Sequence, residues 1–193
     1  FYYKGIPIEN HKKFLNTEIY RTAVSMDILL RKLLRPRLTV LDGKYEVLTP
    51  SPDFNTVFLA FHSAQHYALG FAMHHLCDWA CLLKKQGLKI PEGVTDERFL
   101  NMIYALTHLC NRYLGTGGEE LAENLLKEML HPTYNINVPA TGKWGILVYK
   151  LKRMLHIHRL CDSVMRVSLV KWLWISVIQH VRFPQSIFRR TVS

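Results

Sequence analysis

Residues 54–83, FNTVFLAFHSAQHYALGFAMHHLCDWACLL, carry two apolar helical periods separated by Gly70, and they place the polar side chains of His62, His66 and Asp78 on that helical pair. His62 and His66 are four residues apart, about one helical turn, so both imidazoles project from the same face. Asp78 follows His74 by four residues and His75 by three, inside a second apolar period that continues through Trp79, Leu82 and Leu83. Polar groups placed in such a pair of helices need partners. Two arrangements supply them: a metal or substrate site between packed helices, or a hydrogen-bonded structural cluster.

The pattern around this pair changes character along the chain. Residues 1–3, then Lys4-Gly5, then residues 6–11 read as two strands joined by a tight turn, with Pro7 making the second an edge or irregular strand. Residues 17–34 show helical spacing (Ile19, Val24, Met26, Leu30, Leu33, Leu34), stopped by Arg35-Pro36. Residues 37–41 and 44–48 flank Asp42-Gly43, a two-residue hairpin signal. After Thr49-Pro50-Ser51-Pro52 nearly everything is helical: Asp53 is placed to cap a helix over 54–67, and a second runs to Gln86-Gly87. A third spans 96–114 and ends at Gly115, and a fourth spans 119–130. A loop over 133–142 leads into two or three basic helices over 144–180. The expected fold class is α+β, with short N-terminal strands and hairpins followed by a mainly α-helical bundle. Its expected divisions are 1–50, 51–132 and 133–193.

With 193 residues and 49% hydrophobic content the chain has room for one good core, or for one domain with an appended piece, and it is not disordered. It begins at Phe1, already in strand-like sequence and without a signal-peptide pattern, which suggests a segment of something longer. Cys77, Cys81, Cys110 and Cys161 show no CxxC spacing and lie in helical apolar patterns, which fits a reducing, cytoplasmic setting. The net charge of +10 is concentrated at one end: residues 143–193 hold ten Lys/Arg against one acid, Asp162, leaving +1 for residues 1–142. That basic, aromatic-rich end could meet the phosphates of nucleic acid, nucleotide or lipid headgroups, or be a solvated face. The most hydrophobic window, 164–181, is interrupted by Arg166 and Lys171 and falls short of the roughly 20 residues a membrane span requires, so it reads as a buried or interfacial helix.

For His62, His66 and Asp78 the metal reading needs a fourth ligand or water, and the absence of HExxH removes a metalloprotease-type base: Ser63 and Gln65 stand between the histidines. No His-Asp dipeptide occurs, which argues against phosphohydrolases that ligate metal through that pair. The second candidate is Glu9, in Ile6-Pro7-Ile8-Glu9-Asn10-His11, where Glu9 and His11 share one strand face. A strand carboxylate suits Mg²⁺, which takes oxygen ligands, but one carboxylate does not make a site, and an exposed strand Glu near Lys12 and Lys13 is the alternative. Walker A, GxGxxG and GxSxG sequences are absent. Gly115-Thr116-Gly117-Gly118 follows a helix, lacks Lys and reads as a turn.

The order of these blocks resembles the C-terminal portion of an uncharacterised bacterial nucleotidyltransferase family, a branch of the DNA polymerase β-like nucleotidyltransferase superfamily. The resemblance rests on the aromatic strand pair ending in Ile8-Glu9-Asn10-His11, on Leu48-Thr49-Pro50 leading into a helix with His62-x3-His66, and on Leu76-Cys77-Asp78-Trp79 with Leu82-Leu83. It covers residues 1–115 well and the basic end only in general character. It implies transfer of a nucleotidyl group from NTP to an unknown acceptor with Mg²⁺ held by three carboxylates. Glu9 would be the third of these, positioning or deprotonating the acceptor hydroxyl. The first two have no counterpart in this sequence, which implies a chain inert alone. His11, His62, His66 and Asp78 would then line a substrate pocket or a contact with the catalytic part.

Two other readings stand beside it. One is a non-enzymatic α-helical interaction module docking through its basic end on nucleic acid or an anionic membrane surface. The other is a helical metal-site protein using His62 and His66. An N-terminal strand pair without a sheet beside it also favours oligomerisation.

Overall fold

The structure, a computed structural model, describes residues 2–3, 6–7, 13–15, 20–117 and 142–184. Two short strands, β1 (Tyr2–Tyr3) and β2 (Ile6–Pro7), pair antiparallel with Tyr2 opposite Pro7. Helix α1 (Arg21–Leu33) leads to an antiparallel hairpin of β3 (Arg37–Leu41) and β4 (Tyr45–Thr49). Then come α2 (Pro52–Gly70), α3 (Met73–Gln86), α4 (Glu97–Leu114), α5 (Gly142–Val164) and α6 (Leu169–Arg182). The fold is α+β, with short strands ahead of a mainly helical body. The helix expected over 119–130 and the residues before Gly142 in the expected loop lie outside the described residues.

Local chemistry accounts for the boundaries. Asp42 and Gly43 both take positive φ, 51° and 64°, a conformation that Asp tolerates and Gly adopts freely. Leu41 lies opposite Tyr45, so the connection comprises three residues, 42–44, rather than the two expected. Thr39 and Thr49 join their hydroxyls across the hairpin at 2.7 Å, while Leu38, Val40, Tyr45 and Leu48 stay exposed. The cap of α2 is Ser51, not Asp53: the Ser51 hydroxyl accepts the Phe54 N–H at 3.2 Å and donates to the Leu33 carbonyl at 2.6 Å. The helix therefore starts earlier than expected, with Pro52 in its first turn, where a missing N–H costs nothing. Asp53 lies in the same turn, where its charge complements the helix dipole. Asp96 caps α4 by accepting the N–H groups of Arg98 and Phe99 at 3.0 and 3.2 Å. Gly115 closes that helix in the left-handed region, φ 62° and ψ 40°.

Helix α2 is apolar around most of its circumference, and this makes it the element the others surround. It packs against α1, α3, α4 and α5, burying Phe54, Val57, Ala60, Phe61, Ala64 and Ala68. Helix α3 returns antiparallel to it: the Gln86 amide donates to Thr56 Oγ1 at 2.9 Å and to the Pro52 carbonyl at 3.3 Å, tying the end of α3 to the start of α2. Trp79 is fully buried, and its indole N–H donates to Thr107 Oγ1 on α4 at 3.1 Å. Cys110 and Cys161 are buried in this body, and burial pushes their thiols up to about 12 and about 11, whereas Cys77 and Cys81 are exposed.

The hydrophobic window 164–181 is not one helix. It divides into the end of α5, a buried bend at Met165, Val167 and Ser168, and α6. The Asp162 carboxylate holds the bend, accepting the Val167 N–H at 3.0 Å and pairing with Arg98 of α4 at 2.8 Å. Burial alone would raise the Asp162 pKa, but these donors outweigh it and the carboxyl sits below its ordinary value. The outer face of α6 is open: Val170, Trp174 and Val181 are 77%, 65% and 75% exposed. No helix among the described residues is long and apolar enough to cross a membrane.

Replacing Trp79 tests this packing. Trp79→Ala is expected to destabilise the chain by about 3–5 kcal/mol in urea unfolding, and Trp79→Phe, which keeps an aromatic ring but leaves Thr107 without its donor, by less. An unshifted midpoint for the alanine variant would contradict the arrangement.

Candidate functional site

The turn between α2 and α3 is only Phe71 and Ala72, so the first turn of α3 folds back over the last turns of α2. This places His75 against His62 and His66. Ring centroids are 4.7 Å apart for His62–His66, 5.4 Å for His62–His75 and 4.8 Å for His66–His75. One ring nitrogen from each of the three lies within 4.8 Å of the others. Phe58 stacks on His62 at 6.0 Å and Phe71 on His75 at 5.4 Å, which fixes the planes of two rings.

His75 is the buried member, 3% exposed. Its Nδ1 lies 3.1 Å from the Ala72 N–H and 3.2 Å from the Ala72 carbonyl, so backbone positions this nitrogen at the head of α3. Its other nitrogen, Nε2, is buried without a hydrogen-bond partner among the described residues. Burial lowers the pKa of His62, and the neighbouring His66, His75 and His74 lower it further against a partial offset from Asp78. Burial likewise lowers the pKa of His75, opposed by its bond to Ala72 and by Asp78. Neutral imidazole is therefore the favoured form of both at neutral pH.

The predicted residues divide. His62 and His66 come together on one face of α2. Asp78 is exposed, contrary to its expected place in an apolar seam, because α3 buries the stripe His75, Trp79, Leu82 and Leu83 and Asp78 falls to its side. It acts on His62 and His75 through charge and is not among the converging atoms. His75 was missed as a member, although the short break at Gly70 followed by an early histidine in the next helix is a signal for it. Glu9 and His11 lie outside the described residues. Mg²⁺ prefers oxygen donors, and among the described residues the group that converges is a set of nitrogens. These residues do not fit Mg²⁺.

Residues 1–115 match the model of a family described as uncharacterised nucleotidyltransferase, more than half of the chain. This chain belongs to that family. No curated protein and no solved structure matches it. Membership in a nucleotidyltransferase family supports a general role in nucleotidyl transfer. The matched region holds Glu9, His11, all three clustered histidines and Asp78, and it ends at Gly115, where α4 ends. Helices α5 and α6 lie beyond it.

The electrostatic coupling within the cluster is open to direct titration. Removing His66 in His66→Ala takes away a neighbouring positive charge and opens the site to water, so the His62 midpoint is expected to rise toward the ordinary value of about 6.5. Imidazole proton shifts in NMR would read it, and an unchanged or lowered midpoint would contradict the observed proximity.

Proposed function

We propose that this nucleotidyltransferase-family chain is the C-terminal part of an enzyme that transfers a nucleotidyl group from an NTP to an acceptor hydroxyl, with Mg²⁺ as cofactor. The observation carrying this reading is the family match over residues 1–115, whose limit coincides with the end of α4. In such a transfer the acceptor oxygen bonds to the α-phosphorus, the bridge to the β-phosphate breaks, and pyrophosphate leaves. Glu9 is the residue in the matched block Ile8-Glu9-Asn10-His11 suited to hold the acceptor or take its proton. The remaining carboxylates come from residues that this sequence does not contain, so the 193-residue chain is inactive alone. The helical body, with His62, His66 and Asp78, lies on the acceptor side or against the catalytic part.

Pyrophosphate release from NTP by the full product of the gene tests this assignment. Glu9→Ala is expected to lower transfer by about 10²–10⁴-fold without moving the unfolding temperature. Transfer at the parent rate would remove Glu9 from the reaction.

A second reading concerns the basic end. Helices α5 and α6 and the bend between them carry Lys143, Lys150, Lys152, Arg153, Arg159, Arg166, Lys171 and Arg182 against the single acid Asp162. Among them Trp144 and Trp174 are 80% and 65% exposed. This combination suits contact with a polyanion, the cations meeting phosphates and the rings offering stacking faces. Binding to single-stranded DNA or to anionic vesicles is expected to weaken steeply as salt rises, and the two ligands distinguish nucleic acid from a membrane surface. Failure to bind either at low salt would exclude this contact. The paired strands β1 and β2 supply a further proposed contact, between copies of the chain.

A further inference from the structure

The geometry points to a transition-metal site formed by His62, His66 and His75, of the Zn²⁺ class, at the α2–α3 turn. Two independent observations carry it. The first is convergence: three imidazoles from two helices offer nitrogens within 4.8 Å of one another, at a turn of two residues that fixes the helices against each other. The second is the buried Nε2 of His75, which has no hydrogen-bond partner among the described residues. A polar atom in that position costs free energy unless something engages it.

Both tautomers of His75 leave Nε2 unsatisfied. Protonated on Nδ1, the ring donates to the Ala72 carbonyl at 3.2 Å and buries an unused lone pair on Nε2. Protonated on Nε2, it accepts the Ala72 N–H at 3.1 Å and buries an N–H with no acceptor. A cation at Nε2 resolves this by selecting the first form, with Nδ1–H held by a backbone carbonyl, the usual outer-shell support for a metal-bound histidine. Lowered basicity at His62 and His75 keeps them in the neutral state that ligates.

Distances set the adjustment needed. Tetrahedral Zn²⁺ with Zn–N near 2.0–2.1 Å places ligand nitrogens about 3.3 Å apart, so nitrogens that now lie within 4.8 Å of one another close by up to about 1.5 Å when the ion binds. Three nitrogens suit Zn²⁺, Co²⁺, Ni²⁺ or Cu²⁺ and not Mg²⁺, so this site is separate from a carboxylate-bound Mg²⁺ and does not depend on the proposed transfer. Three protein ligands leave the fourth position to water. The ion would clamp the last turns of α2 to the first turn of α3.

The test is titration of the chain, bearing no polyhistidine tag, with Co²⁺ and Zn²⁺. The expected result is one Co²⁺ per chain with tetrahedral visible bands, displaced by one Zn²⁺, and a rise in unfolding temperature with Zn²⁺. His62→Gln, His66→Gln and His75→Phe should each weaken binding at least 100-fold and abolish the thermal shift, while far-UV circular dichroism confirms that each folds. His74→Ala removes the exposed imidazole next to His75, with ring centroids 4.0 Å apart, and should leave affinity unchanged. Absence of stoichiometric binding would overturn the assignment. So would undiminished affinity in His75→Phe, or a loss in His74→Ala as large as that in His75→Phe.

Discussion

The burial of α2 on nearly every side is the constraint on which the rest of this structure depends. A helix carrying Phe54, Val57, Phe61 and three alanines at four-residue spacing, 60, 64 and 68, has no solvent face wide enough to stand alone. Helices α1, α3, α4 and α5 each satisfy part of it. Polar contacts then fix the registers: Ser51 between the end of α1 and the start of α2, Gln86 between α3 and α2, Trp79 with Thr107 between α3 and α4. Tyr20 joins this set by packing edge-on against Phe61 and bridging to Val167, so the segment ahead of α1 and the bend after α5 meet over the same core.

The candidate site lies at the turn between α2 and α3. His62 and His66 stand on α2, and His75 meets them from the first turn of α3. Such a position confers rigidity, since two helices and two stacked phenylalanines hold the rings, and still leaves His62 half-buried. The body that presents this cluster belongs to the nucleotidyltransferase family, and the matched region reaches to the end of α4 and no further. The basic helices α5 and α6 are thus an extension with its own surface chemistry, although α5 contributes Leu160, Cys161 and Val164 to the common core.

Much of the fold was legible because its signals are local. Asp42-Gly43 can be read as a turn from backbone preference alone, Asp96 and Gly115 bracket α4 by capping chemistry, and the apolar periods of α2 and α3 need no tertiary information. Misreadings arose where a tertiary partner decided the outcome. Ser51 caps α2 ahead of Asp53 because its hydroxyl also reaches the Leu33 carbonyl, a contact 18 residues away. Asp78 is exposed because the stripe chosen for burial on α3 is set by α4. The window 164–181 bends because Asp162 binds Val167 and Arg98. At the site, the His62–His66 spacing was visible as one helical turn, whereas His75 enters only when the two-residue connection folds α3 back, a fact of topology rather than of period.

Native-state hydrogen exchange resolved by residue tests the central claim most directly, that α2 is the buried axis on which the fold and the histidine cluster rest. Amides of α2 from Val57 to Ala68 are expected to exchange only through global unfolding, together with those of α4 from Phe99 to Cys110, while those of β3, β4 and the outer turns of α6 exchange through smaller openings. Exchange of the α2 amides as fast as those of the β3–β4 hairpin would contradict the account.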